Sequence, residues 1–370
     1  MPTSAIHSQE IELKWLASGR DLVVATLVET AGSAPFEPGA ELFVDGDGNV
    51  EGGVTGGCVE GAVVDEAREV LAGGPPRTVS YGISDELAGS VGLSCGGVVT
   101  IFVHRVAGTA AEVVSAALAE ALAGRPAALA TLLDGPAAGG KLALVGGRAV
   151  GSLGGGELLD RNVAHAAAGL LGEGRTAVRR FGAAGEMLGD ELRVHVRAFA
   201  PAPRMLIVGA IDFSAALAPI ARQVGYAVTI CDARAPFLRS PRFSQAAETV
   251  VGWPEEVLAD LDLGPRDCVL VFSHDPKFDL PALRGALATE VGYIGALGSR
   301  RTTEERAARL RAAGVSDADL ARIHAPCGLD IGGRTPAETA ISVLAELIAS
   351  RAARSGLPLS AGAGPIHSAA

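Results

Sequence analysis

Two cysteines flanked by glycines are the residues of this chain best suited to chemistry. Cys58 follows Gly56-Gly57, and Cys95 precedes Gly96-Gly97. A cysteine that only fills a core behaves as a small apolar side chain and needs no such neighbours. Glycines permit positive φ and let a ligand approach the backbone closely. The pattern predicts that the two thiols bind a soft metal or handle sulfur, beside glycine amides that hold an anion.

The position of Cys58 strengthens this hypothesis. Apolar spacing predicts a helix over Cys58–Leu71, and the positive end of a helix dipole favours a thiolate. No C-x-x-C spacing is present, so a structural zinc site is not expected. The alternative is that both thiols only pack in the core, which is the prediction for Cys231, Cys268 and Cys327.

A second group of polar residues follows the apolar strands of the C-terminal half. His274 and Asp275 come directly after the run 268–272. Ligands bind at the carboxyl edge of a parallel sheet, so these two residues are predicted to act there, with His274 as a candidate acid or base. The alternative is an Asx-Pro turn carrying a loop histidine.

The next such loop contains Gly298, Ser299, Arg300 and Arg301 before a predicted helix that starts near Thr302. Helix-start amides together with two guanidinium groups predict a phosphate site. A solvated basic turn is the alternative. Asp330 lies in a third glycine-rich loop at the same predicted edge, and we include it among the candidate cofactor-binding residues.

The first strand of this half resembles the start of a dinucleotide fingerprint. Gly209 ends the strand, and Asp232 follows at the distance expected for a ribose-binding acid. Ile211 and Ser214, however, stand where the fingerprint requires its second and third glycines. We predict a nucleotide-binding type of fold without an ordinary NAD(P) site. Asp232 paired with Arg234 at the strand end is the alternative role for both residues.

These residues must be positioned by two kinds of domain. The sequence predicts an α/β protein in which an α+β region, residues 1–200, precedes a doubly wound, parallel, Rossmann-like sheet, residues 204–352. Strand–helix alternation after a proline-containing linker indicates the second domain. The tail, 353–370, is rich in glycine, serine and proline and is predicted to be disordered.

The first domain shows signs of an internal duplication over about 22–105 and 127–199. A glycine-rich turn and a helical segment precede Arg77 and Arg175 at equal distances. Gly156 is then expected to take the place of Cys58, which leaves a single thiol site, facing the edge loops of the second domain. The alternative is coincidence in a chain rich in alanine and glycine.

Composition narrows the class of protein. The chain has 370 residues, 48% hydrophobic and 20% charged, with a net charge of −11. This excludes a general binder of nucleic acid or of anionic membranes. Neither a signal peptide nor a long apolar run occurs, and five cysteines form no obvious disulfide framework. A cytoplasmic protein is expected.

Taken together, these segments resemble the xanthine dehydrogenase accessory factor family, the XdhC/CoxI type. The resemblance covers roughly residues 22–350. The matching stretches are Glu29–Pro35, Gly53–Glu60, Leu93–Gly97, Thr229–Arg234, Ser273–Asp279, Tyr293–Arg301, Gly328–Gly332 and Thr335–Glu338. Two positions depart from the family pattern: the sequence Gly209-Ala210-Ile211-Asp212 replaces the usual Gly-x-Gly, and Cys327 replaces an apolar residue.

The resemblance implies a cytoplasmic maturation factor that acts by transfer and turns over no substrate. Such proteins bind the molybdenum cofactor, as molybdopterin or its cytosine dinucleotide form. They support its sulfuration with a cysteine desulfurase and deliver it to an apo molybdenum hydroxylase of the xanthine or carbon monoxide dehydrogenase type. We expect Cys58 and Cys95 to hold the metal or a transferable sulfur, and the glycine loops with Arg300 and Arg301 to hold the phosphate. A homodimer is also expected.

Two other classes of function remain open at this point. The first is an NAD(P)-dependent oxidoreductase that uses the Rossmann-like domain, with His274 as acid or base. The second is a partner-docking protein whose cysteines are inert.

Overall fold

The computed structural model describes residues 3–32, 36, 38–82, 97–244 and 248–361. They form two compact units, Thr3–Pro201 and the residues from Ala202 onward. We call these the N-terminal unit and the C-terminal unit.

The N-terminal unit contains two antiparallel five-stranded sheets. The first has strand order β3-β2-β1-β5-β4, and the second has order β8-β7-β6-β10-β9. The elements of the first sheet are α1 (Thr3–Ala17), β1 (Leu22–Ala31), β2 (Glu41–Asp45), β3 (Val50–Gly52), α2 (Glu60–Leu71), β4 (Arg77–Tyr81) and β5 (Val98–Val106). Those of the second are α3 (Thr109–Leu122), β6 (Ala127–Leu132), β7 (Lys141–Val145), β8 (Arg148–Ser152), α4 (Glu157–Glu173), β9 (Ala177–Phe181) and β10 (Leu192–Phe199).

The two faces of the first sheet pack in different hydrophobic cores. On β1, Val23 and Ala25 pack with α2. Leu22 and Val24 point to the opposite face and share a core with α3 and with Leu129 of the second sheet. Since strand residues alternate between faces, β1 is buried on both sides. The two sheets of this unit therefore enclose a common interior.

The two sheets match in strand order and in the position of the helix that follows the third strand. The buried face of α2 is formed by Val63, Ala67 and Val70, and that of α4 by residues 100 positions later, Val163, Ala167 and Leu170. The shared strand order and the matching buried helix faces support the proposed duplication.

When α2 and α4 are aligned by these buried faces, the residue equivalent to Cys58 is Leu158, and not Gly156 as predicted. The reason is that α4 begins at Glu157, whereas α2 begins only at Glu60. The segment that forms the first turn of α4 corresponds to an open loop in the first sheet.

The C-terminal unit is a six-stranded parallel sheet of order β13-β12-β11-β14-β15-β16. Its strands are β11 (Arg204–Val208), β12 (Ala227–Asp232), β13 (Glu248–Val251), β14 (Cys268–Val271), β15 (Tyr293–Ala296) and β16 (Ile323–His324). Its helices are α5 (Asp212–Gln223), α6 (Ala235–Leu238), α7 (Pro241–Ser244), α8 (Pro254–Ala259), α9 (Pro276–Leu287), α10 (Arg300–Ala312), α11 (Asp317–Leu320) and α12 (Pro336–Arg351). This is the Rossmann strand order, so the predicted fold class is confirmed.

Helix starts in this unit follow side-chain capping. Thr335 and Glu338 form the predicted capping box of α12, with proline at its first position. Helix α10 starts at Arg300, earlier than predicted, because the Ser299 hydroxyl accepts a 3.1 Å bond from the Thr302 amide and so caps the helix. After α12, residues 353–361 are exposed and end in the short 3-10 turn Leu359–Ala361, and 362–370 lie outside the described residues.

Candidate functional site

The glycine loop before α2 is filled by a carboxylate of the chain itself. The carboxylate of Glu60 accepts hydrogen bonds from five backbone amides and one hydroxyl. The donors are the amides of Val54 (3.1 Å), Thr55 (2.7 Å), Gly56 (2.8 Å), Gly57 (2.8 Å) and Val59 (3.2 Å) and the Thr55 hydroxyl (2.8 Å). The amides that the sequence assigns to a bound anion therefore have an internal partner.

Glu60 is ionised at neutral pH. Burial raises the pKa of its carboxyl, but the hydrogen bonds from Thr55 and Gly57 outweigh this and lower the pKa to about 2. Its negative charge thus belongs permanently to the loop that carries Cys58.

The Cys58 thiol is half-buried, two residues before the start of α2, and packs against the core of the first sheet. Cys95 and Gly96 lie outside the described residues, so a shared site of the two thiols stays a prediction. Gly97 is buried immediately before β5. Among the described residues no group of three or more histidine, cysteine or acidic side chains could hold a metal ion.

A cavity of about 850 Å³ opens beside this loop, within the N-terminal unit. Gly56, Gly57 and Glu60 form part of its wall, and Phe36 and Arg197 another part. The volume is within the range of small-molecule sites. Cys58 itself is not among the lining residues, although its loop is.

A cluster of buried charges lies between the two sheets and reaches this cavity. Arg197 contacts the carboxylates of Glu12, at 3.0 Å, and of Glu41. Lys141 is buried nearby, and its ammonium group donates a 2.8 Å bond to the Thr131 hydroxyl. Arg197 and Glu41 also line the cavity. The wall of the cavity therefore contains the Arg197–Glu41 ion pair.

The titratable residues in and beside this cluster have shifted pKa values. Burial raises the pKa of Glu12 to about 6, partly offset by Arg197. Burial lowers the pKa of Lys141 to about 8, and Glu41 opposes that shift. Burial likewise lowers the pKa of His195 to about 3. Sequence analysis missed this cluster, although charged residues inside otherwise apolar strands were a usable signal.

In the C-terminal unit, the candidate residues follow the carboxyl ends of their strands, at one edge of the sheet. Gly209 follows β11, and its φ of +113° is one that other residues rarely adopt. A Cβ atom there would lie 2.9 Å from the amide nitrogen of Ser273, at the end of β14. Glycine is thus required where β11 and β14 turn away from each other.

Asp232 is occupied by donors of its own chain. Its carboxylate accepts bonds from the Ala210 amide at 2.9 Å and from Nη2 and Nε of Arg234 at 2.8 and 2.9 Å. Asp212 places a further carboxylate in the first turn of α5, where it pairs with Arg242. A pyrophosphate at the start of α5 would meet that negative charge, so both features disfavour the ordinary dinucleotide pose.

Asp275 serves as the N-cap of α9 and accepts a 3.1 Å bond from the Lys277 amide. That bond lowers the pKa of the Asp275 carboxyl. The side chain is therefore used in the Asx-Pro turn that was the alternative prediction. His274 is exposed beside it.

The loop before α10 is basic and exposed. The Arg301 side chain is 88% exposed and its Nε donates a 2.9 Å bond to Glu305, while the Ser299 hydroxyl caps the helix. Arg300 and Asp330 are exposed as well. The first turn of α10 contains no acidic residue. The predicted phosphate site at Gly298–Arg301 stays a proposal.

The remaining cysteines are buried. Burial raises the pKa of Cys231 and Cys327 to about 12 and that of Cys268 well above its ordinary value. These thiols are uncharged at neutral pH, which agrees with the packing role predicted for them.

The chain belongs to the XdhC and CoxI family, and the resemblance drawn from its motifs is confirmed. The family model described as "XdhC and CoxI family" matches residues 15–82, and the one described as "XdhC Rossmann domain" matches residues 205–347. Together the two matches cover more than half of the chain.

Curated relatives match to different extents. A probable xanthine dehydrogenase subunit of Bacillus subtilis is 29% identical over 149 residues, 40% of this chain and 43% of that protein. "Uncharacterized protein YqeB" of Escherichia coli is 31% identical over 147 residues, 40% of this chain and 27% of that protein. The chain thus spans less than half the length of these two relatives. "Molybdenum cofactor insertion chaperone PaoD" of Escherichia coli is 28% identical over 337 residues, 91% of this chain and 85% of that protein.

A solved structure described as a xanthine dehydrogenase from Bacillus halodurans aligns over 96% of this chain and 98% of its own, with a TM-score of 0.67 and 24% identity. At that identity the likeness establishes the fold. Within the described part of the chain, no helix is long and apolar enough to cross a membrane.

Proposed function

We propose that the protein is a maturation factor that binds the molybdenum cofactor and delivers it to an apo molybdenum hydroxylase. Likeness to the molybdenum cofactor insertion chaperone PaoD over 91% of the chain supports this. The structural observation that carries the proposal is the cavity of about 850 Å³ whose wall includes the glycine loop of Cys58.

The residues at this cavity fit the chemistry of such a cofactor. Glu41 and Arg197, which are paired with each other in the cavity wall, offer a carboxylate to the N–H donors of a pterin ring and a guanidinium to a phosphate group. Cys58, with Cys95, would hold the thiophilic metal end or a transferable sulfur. The bound group supplies molybdenum redox chemistry to the client enzyme, and this chain holds and protects it.

The finer parts of the proposal concern partners and form. A cysteine desulfurase would supply the sulfur, and the client would be of the xanthine or carbon monoxide dehydrogenase type. The cofactor would arrive as molybdopterin or as its cytosine dinucleotide, and the factor would act as a cytoplasmic homodimer. In the C-terminal unit, Arg300 and Arg301 would form a phosphate site of their own at the start of α10.

An NAD(P)-dependent oxidoreductase fits the C-terminal unit less well. Asp232 already binds Ala210 and Arg234, and Asp212 occupies the position next to the expected pyrophosphate. No observation favours hydride transfer over cofactor delivery.

Anaerobic titration with isolated molybdenum cofactor, followed by elemental analysis of the protein-bound fraction, tests the proposal. Wild type should bind stoichiometrically, and Cys58→Ala and Cys95→Ala should each bind about tenfold more weakly, equivalent to about 1.4 kcal/mol. Cys58→Ser, which keeps the size of the side chain but lacks the thiol, separates ligation from packing. Thermal unfolding checks that the variants fold.

The outcomes distinguish the parts of the proposal. Absence of binding by wild type would reject cofactor delivery altogether. Equal binding by wild type and both alanine variants would reject only the role of the cysteines.

A further inference from the structure

The C-terminal unit exposes an aromatic surface at the carboxyl edge of its sheet. We define the edge platform as Arg234, Phe237, Trp253 and Phe278, which come from the segments that follow β12, β13 and β14. Phe237 is 46% exposed and Trp253 is 42% exposed, whereas Phe278 is buried, at 5%. Two large rings half open to water at one sheet edge are a candidate binding surface.

The members of the edge platform are linked by a series of ring–ring and guanidinium–ring contacts. The guanidinium carbon of Arg234 lies 4.3 Å from the centroid of the Phe237 ring and 5.5 Å from that of Phe278. The Trp253 and Phe278 centroids are 5.2 Å apart. Phe278 is therefore the buried support that both Arg234 and Trp253 contact.

The guanidinium of the edge platform is held in place by the chain itself. Asp232, buried at 4%, fixes the plane of the Arg234 guanidinium through its two bonds to Nη2 and Nε. A planar group held in this way loses little conformational freedom when a second flat ring stacks nearby.

The position of the platform indicates the class of ligand. In a doubly wound sheet, ligands bind outside the carboxyl ends of the strands, and the acid that holds a ribose ends the second strand. That strand is β12 here, and β13 lies beside it. Aromatic and guanidinium planes bind heteroaromatic bases by stacking, which requires no glycine fingerprint.

We propose that the edge platform binds the base of a nucleotide, stacked on Trp253 and Phe237 beside the guanidinium of Arg234. The pose differs from that of NAD(P), since the carboxylates of Asp232 and Asp212 leave no pyrophosphate cradle at α5. The base can belong to a free nucleotide or to the nucleotide half of a larger cofactor. This proposal stands independently of the proposed function.

Tryptophan fluorescence of the full-length protein tests the site. The chain has two tryptophans, and Trp15 lies in α1 of the N-terminal unit. In Trp15→Phe, therefore, Trp253 is the sole tryptophan reporter. Titration with CDP and with ADP should quench it saturably. A third titration uses a pterin carboxylic acid. Calorimetry of the wild type measures the affinities for the same three compounds without a fluorescent reporter.

In the Trp15→Phe background, Phe237→Ala should weaken nucleotide binding by about 5- to 150-fold, the range found when one stacking ring is removed. Ile341→Ala is the matched control, because Ile341 is an exposed apolar residue of α12 outside the platform, and it should bind as the parent does. Tighter binding of CDP than of ADP assigns the base to a cytidine nucleotide, and the reverse assigns it to a purine nucleotide.

Three results would overturn the proposal: no saturable quenching by either nucleotide, equal affinity of Phe237→Ala and its parent, or saturation by the pterin alone. A protein that binds molybdenum cofactor but neither nucleotide would reject the edge platform and leave the proposed function in place. A protein that binds nucleotides but no cofactor would do the opposite.

Discussion

At the scale of single residues, Glu60 explains the shape of the loop that carries Cys58. Positive φ values of 76° and 114° at Gly56 and Gly57 turn successive amides toward one point, and the Glu60 carboxylate lies at that point. Such concave groups of amides bind anions well. The loop is therefore held in its shape from within.

Replacing Glu60 should loosen this loop. We expect Glu60→Ala to lower the free energy of unfolding by about 1–3 kcal/mol, because several backbone amides lose a charged acceptor. Urea denaturation at neutral pH measures the change. Asp65→Ala, on the exposed side of the same helix, is the control and should change stability by less than about 0.5 kcal/mol.

The pH dependence has a definite sign. The folded pKa of Glu60, about 2, is below its ordinary value of 4.5. Its stabilisation is therefore complete above pH 4.5 and is lost as the pH falls toward 2. The difference between wild type and Glu60→Ala should shrink over that interval, and a difference that stays constant would contradict the role of the carboxylate.

Sequence patterns identified this loop but not its internal ligand. The glycines and Cys58 stand out by type and spacing, whereas Glu60 is an ordinary acid at a helix start. Which donors its carboxylate meets depends on backbone dihedrals that glycine permits but does not specify. The same limit applied to Asp275, whose alternatives differ only in local hydrogen bonding.

At the scale of elements, the two sheets of the N-terminal unit meet over charged residues as well as apolar ones. Lys141 on β7 is buried within reach of the charges of Glu41 and Arg197. Burial removes water from its ammonium group, which destabilises the charged form and is the largest influence on its pKa.

Lys141→Met should remove a pH-dependent part of the stability. Between the folded pKa of about 8 and the ordinary value of 10.5, Lys141 is protonated more in the unfolded chain than in the folded one, so the stability of the wild type relative to Lys141→Met should rise with pH across this window. The rise should be on the order of 3 kcal/mol, since one pKa unit corresponds to about 1.4 kcal/mol. Denaturation at a series of pH values measures it.

The exposed Lys14 of α1 provides the control: Lys14→Met should keep the wild-type slope. Equal slopes in the wild type and in Lys141→Met would contradict the assignment of this window to Lys141.

Helices and strands could be predicted from the sequence where burial or capping imposes a recognisable residue pattern. Strands buried on both faces, such as β11 and β14, are apolar runs, and the capping box of α12 is written in four adjacent residues. The two-residue β16 is too short to show a period. The start of α10 depended on which of two hydroxyl residues, Ser299 or Thr302, accepted the capping bond.

At the scale of the whole molecule, each compact unit has cores of its own. The clusters around β1 and β6 contain only residues of the N-terminal unit, and those around β11 and β14 contain only residues of the C-terminal unit. After cleavage at a protease site inserted between Pro201 and Ala202, the two parts should therefore each unfold cooperatively, as followed by circular dichroism.

The same site inserted between Gly124 and Arg125 is the control. It separates the two sheets in sequence, but Leu22 and Leu129 share one core, so the cut halves should stay together on gel filtration. Loss of cooperative unfolding in either fragment of the first cleavage would contradict independent units.

The offset between α2 and α4 has a consequence for how this molecule can change. The buried faces of both helices keep the same register, while the segment before them is a helical turn in one sheet and an open loop in the other. Val54 and Val59, at the two ends of this loop, belong to the same core as Val63 and Ala67, so variation that leaves the core intact is confined to residues 56–58.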